Sequence, residues 1–466
     1  MRLRKCGGQV ALEYVGFPEM TKNLAAFAIF PFALAYSGIT APFRGADEYN
    51  HFFRAYHVSI GRMTGHHAAF GVVGEELPAS LLTLARAAAD FPRLPSIASS
   101  SAQFRAANRI LLDPNRTAII NFPNSALYSP LVYAPAAAGI AFGRLLGQHT
   151  LWLFYLARCF SALAVASLLA VAIKALPPPA ESFAILPLVP MSLFQTAMIG
   201  ADGFTIALGL LFTAEILRLR FDRREIARVS RWKLLLLALL LSQLRPPYPL
   251  IGVAIFAVPG ESFHDKGDAY SFLGLFFLLL LVPCFLWNWI AAGLFSQMRP
   301  DLVTDPHQQL ALILQAPSRF LAVLRLEFVN HGVAHLRELI GYFGWRNFPL
   351  PWPLILLVTA ALLVSACAVD ISALRINSRM RLCFLALAAI GIIGVALVIY
   401  LTWDPVGADE VGGFHGRYFL PFLPFAMISM ANGVLKNIRW CWPVAFVTCV
   451  LSNLVALGLL VRATFS

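Results

Sequence analysis

Long apolar segments, separated by shorter polar ones, make up most of the chain. The first covers residues 23–40 and follows a basic tail. The later uninterrupted segments are 128–146, 151–174, 203–217, 271–292, 350–369, 382–402, 418–435 and 441–462. The pattern predicts an all-α polytopic membrane protein, because a transmembrane helix needs about 20 mostly apolar residues. With the interrupted segments included, we expect a helical bundle of about 9–13 hydrophobic segments.

Two further apolar segments are interrupted by proline. Residues 183–200 are short and contain two prolines, and residues 234–259 are split by Arg245-Pro-Pro-Tyr248. Proline inside a helix removes a backbone hydrogen bond and clashes with the preceding turn. We therefore predict a broken or re-entrant segment at 183–200 and a pair of half-helices at 234–259. Such breaks are tolerated at membrane depth only inside protein or beside a water-filled cavity.

Two long polar stretches, 41–127 and 293–349, separate the apolar segments. We predict both to be extracytoplasmic parts of a single membrane-embedded domain that comprises residues 1–466. Within the first stretch, Asp47–Ile60 and Pro78–Ala89 show helical periodicity with an apolar face. That pattern is typical of helices that lie at a membrane surface.

Composition and charge narrow the class of protein further. Hydrophobic residues make up 59% of the chain and charged residues 13%, whereas a soluble domain carries about 25% charged residues. A single soluble domain is therefore excluded, and the high apolar content also excludes disorder. The net charge of +12 is not a nucleic-acid footprint, because the basic residues fall mainly in loops between apolar segments. The seven cysteines have no spacing typical of a zinc site or a disulfide framework.

Clusters of basic residues predict an orientation. They lie in the short loops 218–233, 375–381 and 436–439, and cytoplasmic loops are enriched in Lys and Arg. We expect a cytoplasmic N-terminus and a C-terminus on the opposite face. The first segment then runs outward, 128–146 returns, and 151–174 runs outward again. No small-residue cleavage site follows the first segment, so we expect it to be retained as a span.

An acidic pair, Asp47-Glu48, directly follows the first segment. On a helix Asp47, His51 and Arg54 would share one face, since they are spaced i, i+4 and i+7. A carboxylate there can accept a proton from a hydroxyl. The alternatives are an ion-paired surface helix and a metal site, although no spacing enforces metal binding.

Three other places carry candidate chemistry in or beside apolar segments. Arg245 and Tyr248 lie at the break in 234–259, where a guanidinium can bind an anion bidentately or pair with Asp202. Asp202 can instead cap the helix that follows it. In the glycine-containing stretch 412–419, His415, Arg417 and Tyr418 precede a span, and the alternative there is an interfacial Arg/Tyr belt.

Seven motifs occur in an order that resembles a known family. They are Asp47-Glu48, Tyr128-Ser-Pro-Leu-Val-Tyr-Ala-Pro135, Ala157-Arg158, Pro190-Met191 with Ala201-Asp202, Arg245-Pro-Pro-Tyr248, Gly341 with Gly344-Trp345, and Gly416-Arg417-Tyr418-Phe419. The pattern resembles the bacterial membrane family known as domain of unknown function 2142, which is similar to the GT-C superfamily of glycosyltransferases. That family often has Lys at the position of Arg245 and Gln at that of His415.

The resemblance implies a GT-C-like helical bundle with a long first extracytoplasmic loop, in a bacterial inner membrane. It implies transfer of a sugar from a polyprenyl-phosphate donor to a glycan, lipid or protein acceptor. Asp47 or Glu48 would be the base, and Arg245 and Arg417 would hold the phosphate. The remaining substrate-binding candidates are His51, Arg54, Asp202, Tyr248, His415 and Tyr418. No metal ligand or cofactor is assigned, and a divalent metal stays open.

Two other functions stay open on the sequence. A transporter or lipid flippase also uses broken helices and charged residues at membrane depth. A noncatalytic subunit for polysaccharide assembly would present the same pattern. The long polar stretch after the first segment is unusual for a carrier, and no internal repeat is evident.

Overall fold

A computed structural model describes residues 2–6, 9–13, 17–69, 71–89, 101–222, 225–297, 303–438 and 440–465. Three basic residues of the clusters used for orientation, Arg223, Arg224 and Arg439, lie outside this set. Helices dominate, which confirms the all-α class. The helices are α1 (Phe17–Ile39), α2 (Glu48–Ser59), α3 (Ala79–Ala89), α4 (Ser101–Asn108), α5 (Pro123–Ala126), α6 (Ala134–Leu145), α7 (Thr150–Ala175), α8 (Pro190–Ala197), α9 (Asp202–Asp222), α10 (Arg228–Leu241), α11 (Lys266–Ala292), α12 (Pro306–Gln315), α13 (Pro317–Gly341), α14 (Trp352–Ala368), α15 (Ser378–Thr402), α16 (Leu423–Met430) and α17 (Cys441–Phe465).

The strands are short and antiparallel. They are β1 (Arg2–Cys6), β2 (Gln9–Glu13), β3 (His66–Ala69), β4 (Val72–Pro78), β5 (Thr117–Asn121), β6 (Tyr342–Phe343) and β7 (Phe348–Pro349). They form the pairs β1–β2 and β6–β7 and the three-stranded sheet β3–β4–β5. The sequence analysis predicted α2 and α3 but not this sheet. Helix α2 is largely buried against α6 and α5, and its predicted place at a membrane surface stays a prediction.

Within the described ranges, five helices are long and apolar enough to cross a membrane. They are Glu19–Ile39, Thr150–Ala175, Lys266–Ala292, Ser378–Thr402 and Cys441–Ala463. Much of their surface is unburied and apolar, particularly on Lys266–Ala292. A soluble protein rarely exposes so much contiguous apolar surface, and these helices therefore belong to a membrane protein.

Helix α7 runs antiparallel to α1. We call the end of the bundle near Thr40, where α1 finishes, the upper end, and the end near Lys22 the lower end. Lys22 Nζ donates a 2.9 Å hydrogen bond to the carbonyl of Leu176, and Arg158, two turns into α7, donates to the carbonyl of Thr40. Helix α7 therefore begins at the upper end. The prediction that 151–174 runs in the same direction as the first segment is wrong.

The cause is that residues 128–146 do not cross the bundle. Helix α6 has 12 residues and is about 18 Å long, against about 30 Å for the hydrocarbon core of a bilayer. The chain then returns to the polar stretch, where the Thr150 amide donates to the carbonyl of Ile110 at 3.1 Å. A Cβ on Gly139 would lie 2.4 Å from the Leu156 carbonyl. The apolar composition of α6 thus reflects its tight packing on α7.

A broken segment supplies the crossing that α6 lacks. A 3₁₀ segment, Pro178–Leu188, continues from the lower end after α7, and α8 follows it. The next residues reach the upper end, where the amide of Ile199 donates to Glu48 Oε1 at 3.2 Å. The predicted break within 183–200 is therefore confirmed, whereas the alternative of a re-entrant segment that does not cross is wrong. Residues 183–200 cross the bundle where α6 does not, so the number of crossings before α9 has the predicted parity. Helix α9 therefore runs from the upper to the lower end, as predicted.

Residues 226–262 form a hairpin that enters the bundle and returns. Helix α10 and the 3₁₀ segment Tyr248–Ala257 are its two arms, which confirms the predicted pair of half-helices. Both ends of the hairpin lie together, since the Ile226 amide donates to the Ser262 carbonyl at 2.9 Å. The tip carries Arg245. The predicted continuous span at 418–435 is wrong, because a 3₁₀ segment, Gly416–Phe422, leads into the eight-residue α16.

Candidate functional site

A cleft at the upper end brings together residues from five distant parts of the chain. It holds about 420 Å³ of empty space, counting the part open to solvent. Its lining comprises Gly45, Ala46, Asp47, His51, Tyr128, Gln195, Met198, Ile199, Gly200, Ala201, Asp202, Arg245, Arg417 and Tyr418. The structure therefore brings Asp47, His51, Asp202, Arg245, Arg417 and Tyr418 of the predicted site into one cleft.

Asp47 precedes α2 in a left-handed backbone conformation, with φ 57° and ψ 13°. Asp tolerates this conformation better than most residues do, and such conformations concentrate at functional sites. Burial raises the pKa of the Asp47 carboxyl above its usual value. Arg417 and Arg245 act to lower that pKa, while Asp202 acts to raise it. A carboxylate whose pKa is raised is a stronger proton acceptor.

Glu48 points away from the cleft and forms a fully buried pair with Arg158. Arg158 Nε lies 2.8 Å from Glu48 Oε1 and Arg158 Nη2 lies 2.6 Å from Oε2. Arg158 also donates to the carbonyls of Ser37, Thr40 and Ala41. The pair thus fastens the turn before α2 onto α7. The structure separates the two acids, with Asp47 in the cleft and Glu48 beneath it.

Asp202 begins α9 and faces two guanidinium groups. Arg245 Nη2 lies 3.9 Å from Asp202 Oδ1, and Arg417 Nε lies 3.5 Å from Oδ2. Both nitrogens are buried and have no hydrogen-bond partner within the described part of the chain. A buried donor without a partner is costly. The cleft therefore holds two cationic donors that an anionic ligand could engage.

Three tyrosines surround Arg245. Tyr128 OH accepts a 2.7 Å hydrogen bond from Arg245 Nη1, and the guanidinium carbon lies 4.6 Å from the centre of the Tyr418 ring. The Tyr248 ring is 5.7 Å away, and its hydroxyl donates to the Tyr418 carbonyl at 3.2 Å. Cation–π contacts stabilise a guanidinium out of bulk water. Arg417 Nη2 donates to Tyr418 OH at 3.1 Å, so one tyrosine orients both cations.

His51 lines the cleft as a neutral side chain. Its Nδ1 lies 2.7 Å from Tyr133 OH, and burial lowers the pKa of His51 to about 4. Arg54 does not reach the cleft. It is buried further along α2, where its guanidinium lies 2.7 Å from His57 Nδ1 and donates to the Met63 carbonyl at 2.6 Å. The cleft therefore does not bring Arg54 together with Asp47 and His51.

His415 is likewise outside the cleft. Its Nδ1 lies 3.4 Å from Glu338 Oε1, on the side of the loop that faces α13. Sequence reasoning did not single out Glu338, Gln195 or the role of Arg158. Arg158 could have been found from the sequence as a charged residue inside an otherwise apolar span. The spacing of Glu327, His335 and Glu338 along one face of α13 is a signal for that helix.

No metal centre is evident in the described ranges. None of their His, Cys, Asp and Glu side chains forms a group of three that could hold a metal ion. The acids of the cleft, Asp47 and Asp202, face guanidinium groups instead. The arrangement is suited to an anionic ligand beside a carboxylate that can accept a proton.

Comparison with known proteins agrees with the membrane assignment. No curated protein and no solved structure matches the chain. A family model described as "Predicted membrane protein (DUF2142)" matches residues 30–426. That match covers most of the chain and includes every residue that lines the cleft. The chain therefore belongs to the DUF2142 family of membrane proteins.

Proposed function

We propose that this protein is a membrane glycosyltransferase. It transfers a sugar from a polyprenyl-phosphate donor to a glycan, lipid or protein acceptor of the cell envelope. The observation that carries the proposal is the meeting of Asp47 with Arg245 and Arg417 in one cleft. A carboxylate of raised pKa beside two cationic donors fits a reaction in which a hydroxyl loses a proton while a phosphate departs.

Asp47 is the proposed proton acceptor. The acceptor hydroxyl oxygen forms a bond to the anomeric carbon of the sugar, and its proton passes to Asp47. The bond between that carbon and the phosphate oxygen breaks, and the electron pair leaves with the lipid phosphate. No covalent enzyme intermediate is required, and one displacement inverts the anomeric centre.

Arg245 and Arg417 are the proposed phosphate ligands. Arg245 Nη2 and Arg417 Nε are buried donors without hydrogen-bond partners among the described residues, and each lies nearest a different carboxylate oxygen of Asp202. A departing phosphate would receive hydrogen bonds from donors that are already oriented, which is the largest usual term in this kind of catalysis. Tyr128 and Tyr418 hold the guanidinium groups in place.

The proposed orientation puts the cleft on the extracytoplasmic face. The basic loops 218–233 and 375–381 lie at the lower end, where Arg220 Nη2 donates to the Arg375 carbonyl at 2.7 Å. Basic loops favour the cytoplasmic side, and the cleft is at the opposite end. The membrane would then be the bacterial inner membrane.

A transfer assay tests the proposal directly. The purified protein is reconstituted in lipid and supplied with labelled polyprenyl-phosphate sugars and a mixture of envelope acceptors. We expect label to pass to an acceptor in wild type. In Asp47→Asn we expect donor binding to persist and the rate to fall roughly 10²–10⁴-fold, the usual contribution of a general base. Wild-type rates in Asp47→Asn would remove the proposed role of that acid.

A second candidate function is movement of a lipid-linked anion across the membrane. The hairpin at 226–262, which carries Arg245 to the cleft, favours it, because broken helices that end at a binding site are typical of transporters. The same reconstituted vesicles distinguish the two functions. A flippase moves the labelled donor between leaflets without acceptor, whereas a transferase produces a labelled acceptor.

A further inference from the structure

Three buried carboxylates hold the loop that leads to Arg417. Asp404 accepts the Gly412 amide at 3.0 Å through each of its oxygens. Glu327 accepts the Val411 amide at 3.4 Å, and Glu338 accepts the Gly416 amide at 2.7 Å. None of these acids touches the cleft. All three carboxylates are buried. Burial of a carboxylate is unfavourable unless hydrogen bonds or cationic partners offset the loss of water.

Of the three carboxylates, Glu338 accepts the amide that is closest to Arg417 along the chain. Its Oε2 binds the amide of Gly416, the residue that opens the 3₁₀ segment in which Arg417 is second. The approach of this segment to α13 is very close, since a Cβ on Gly416 would lie 1.9 Å from the His335 carbonyl. The position of Arg417 is thus fixed by a backbone contact with α13.

Two cations keep the Glu338 carboxylate charged. Arg346 Nε lies 2.8 Å from Oε1 and His335 Nδ1 lies 3.3 Å from Oε2. The other nitrogen of His335 lies 3.0 Å from Glu327 Oε1. Burial acts to lower the pKa of His335, but its hydrogen bonds to Glu327 and Glu338 outweigh burial and raise that pKa to about 9. His335 is therefore a cation at neutral pH, shared by two of the carboxylates.

We propose that Glu338 is a positioning residue that holds Arg417 in the cleft through the amide of Gly416. The inference rests on the proposed role of Arg417 as a phosphate ligand. Glu338 does not line the cleft. Its charge sets the place of the 3₁₀ segment, and the segment sets the place of the guanidinium.

A double-mutant cycle with Arg417 separates positioning from general stability. The probe is farnesyl monophosphate in detergent micelles, and the measurement is its dissociation constant. We expect Glu338→Gln to weaken binding roughly 10–100-fold, the range seen when a supporting partner of a binding group is removed. In an Arg417→Ala background the same change should alter binding by no more than about twofold, the usual scatter of additivity.

The matched control is Glu215→Gln. Glu215 is also a buried helical carboxylate with two cationic partners, Arg218 and Lys233. It lies 13 residues after Asp202 on α9, about 20 Å from the cleft. We expect Glu215→Gln to leave the dissociation constant unchanged. If Glu338→Gln weakens binding equally with and without Arg417, or if Glu215→Gln weakens it as much, the positioning role is refuted.

Amide hydrogen exchange tests the fastening without any ligand. Peptides that cover 411–418 should exchange faster in Glu338→Gln than in wild type or Glu215→Gln, because the Gly416 amide loses its charged acceptor. Unchanged exchange would overturn the proposal. If Glu338→Gln does not fold, Glu338→Asp keeps the charge and withdraws the carboxylate from the Gly416 amide, and it should give the same faster exchange. If wild type binds no farnesyl monophosphate, the phosphate site is refuted, while the exchange result still decides whether Glu338 fastens the loop.

Discussion

The Glu48–Arg158 pair gives the sharpest prediction about how the cleft is built. Arg158 makes five hydrogen bonds, two to Glu48 and three to carbonyls of the last turn of α1 and the residues that follow it. Both side chains are fully buried. Glu48 also accepts the amides of Gly45 and Ile199, each at 3.2 Å. The pair therefore joins α7, the turn that carries Asp47, and the segment before Asp202.

Removal of both partners should cost less stability than the two single removals added together. Arg158→Met leaves a buried carboxylate without its cation, and breaking a buried pair in this way costs about 3–5 kcal/mol. In Glu48→Gln the three carbonyls still surround Arg158, so we expect about 1.5–3 kcal/mol, the value of hydrogen bonds to a charged group. The loss of stability in the double variant should be smaller than the sum of the two single losses by about 0.5–3 kcal/mol, the coupling energy of residues in contact.

Two measurements on each variant check this reasoning. The free energy of unfolding is obtained by reversible denaturation in mixed micelles. Single-turnover transfer with donor bound beforehand gives the rate of the folded fraction. We expect Glu48→Gln to lose stability and Asp47→Asn to lose rate. If Glu48→Gln lowers the rate more than Asp47→Asn does, the two acids have exchanged roles. Additive stability losses for Glu48 and Arg158 would refute the pair as the anchor of the turn.

Three further predictions follow from the site and the topology. The rate of transfer should fall as the pH falls through the raised pKa of Asp47, because only the ionised carboxylate accepts a proton, and a pH–rate profile of Asp47→Asn should lack this limb. Arg245→Lys should retain more affinity for farnesyl monophosphate than Arg245→Ala, since it keeps the charge and loses only the donor fork; equal affinities would exclude an electrostatic role. In a cysteine-free background, cysteines at Asn115 and Val229 should react with an impermeant maleimide from opposite sides of the membrane, and labelling of both from one side would contradict the proposed orientation.

The apolar pattern was sufficient for the class and for the breaks, and it failed for α6. A run of apolar residues at 128–146 indicates burial, but it does not distinguish burial in lipid from burial against a neighbouring helix. The close approach of Gly139 to the Leu156 carbonyl shows that α6 is buried against α7 rather than in lipid. Only the packed structure contains that approach. The proline-split segment at 234–259 was predicted correctly because proline acts on the local backbone.

The site shows the same division between local and tertiary information. Asp47, Arg245 and Arg417 could be singled out from the sequence. A charged residue in or beside an apolar span is costly at membrane depth and is therefore a candidate functional residue. The partner of Glu48 was not recognisable, since Arg158 lies 110 positions further along the chain. Glu338 was missed because its contact with the Gly416 amide joins residues 78 positions apart.

The sequence by itself determined that this chain is a helical membrane protein with a charged, broken-helix region. Hydrophobicity, proline and charge act within one or two turns of the residue that carries them, so a linear pattern reports them. The tertiary structure alone decided the direction of α7, the separation of Asp47 from Glu48, and the contact of Glu338 with the Gly416 amide. Each of these depends on hydrogen bonds and close packing between segments that are distant in the chain, and no periodicity records which segments will meet.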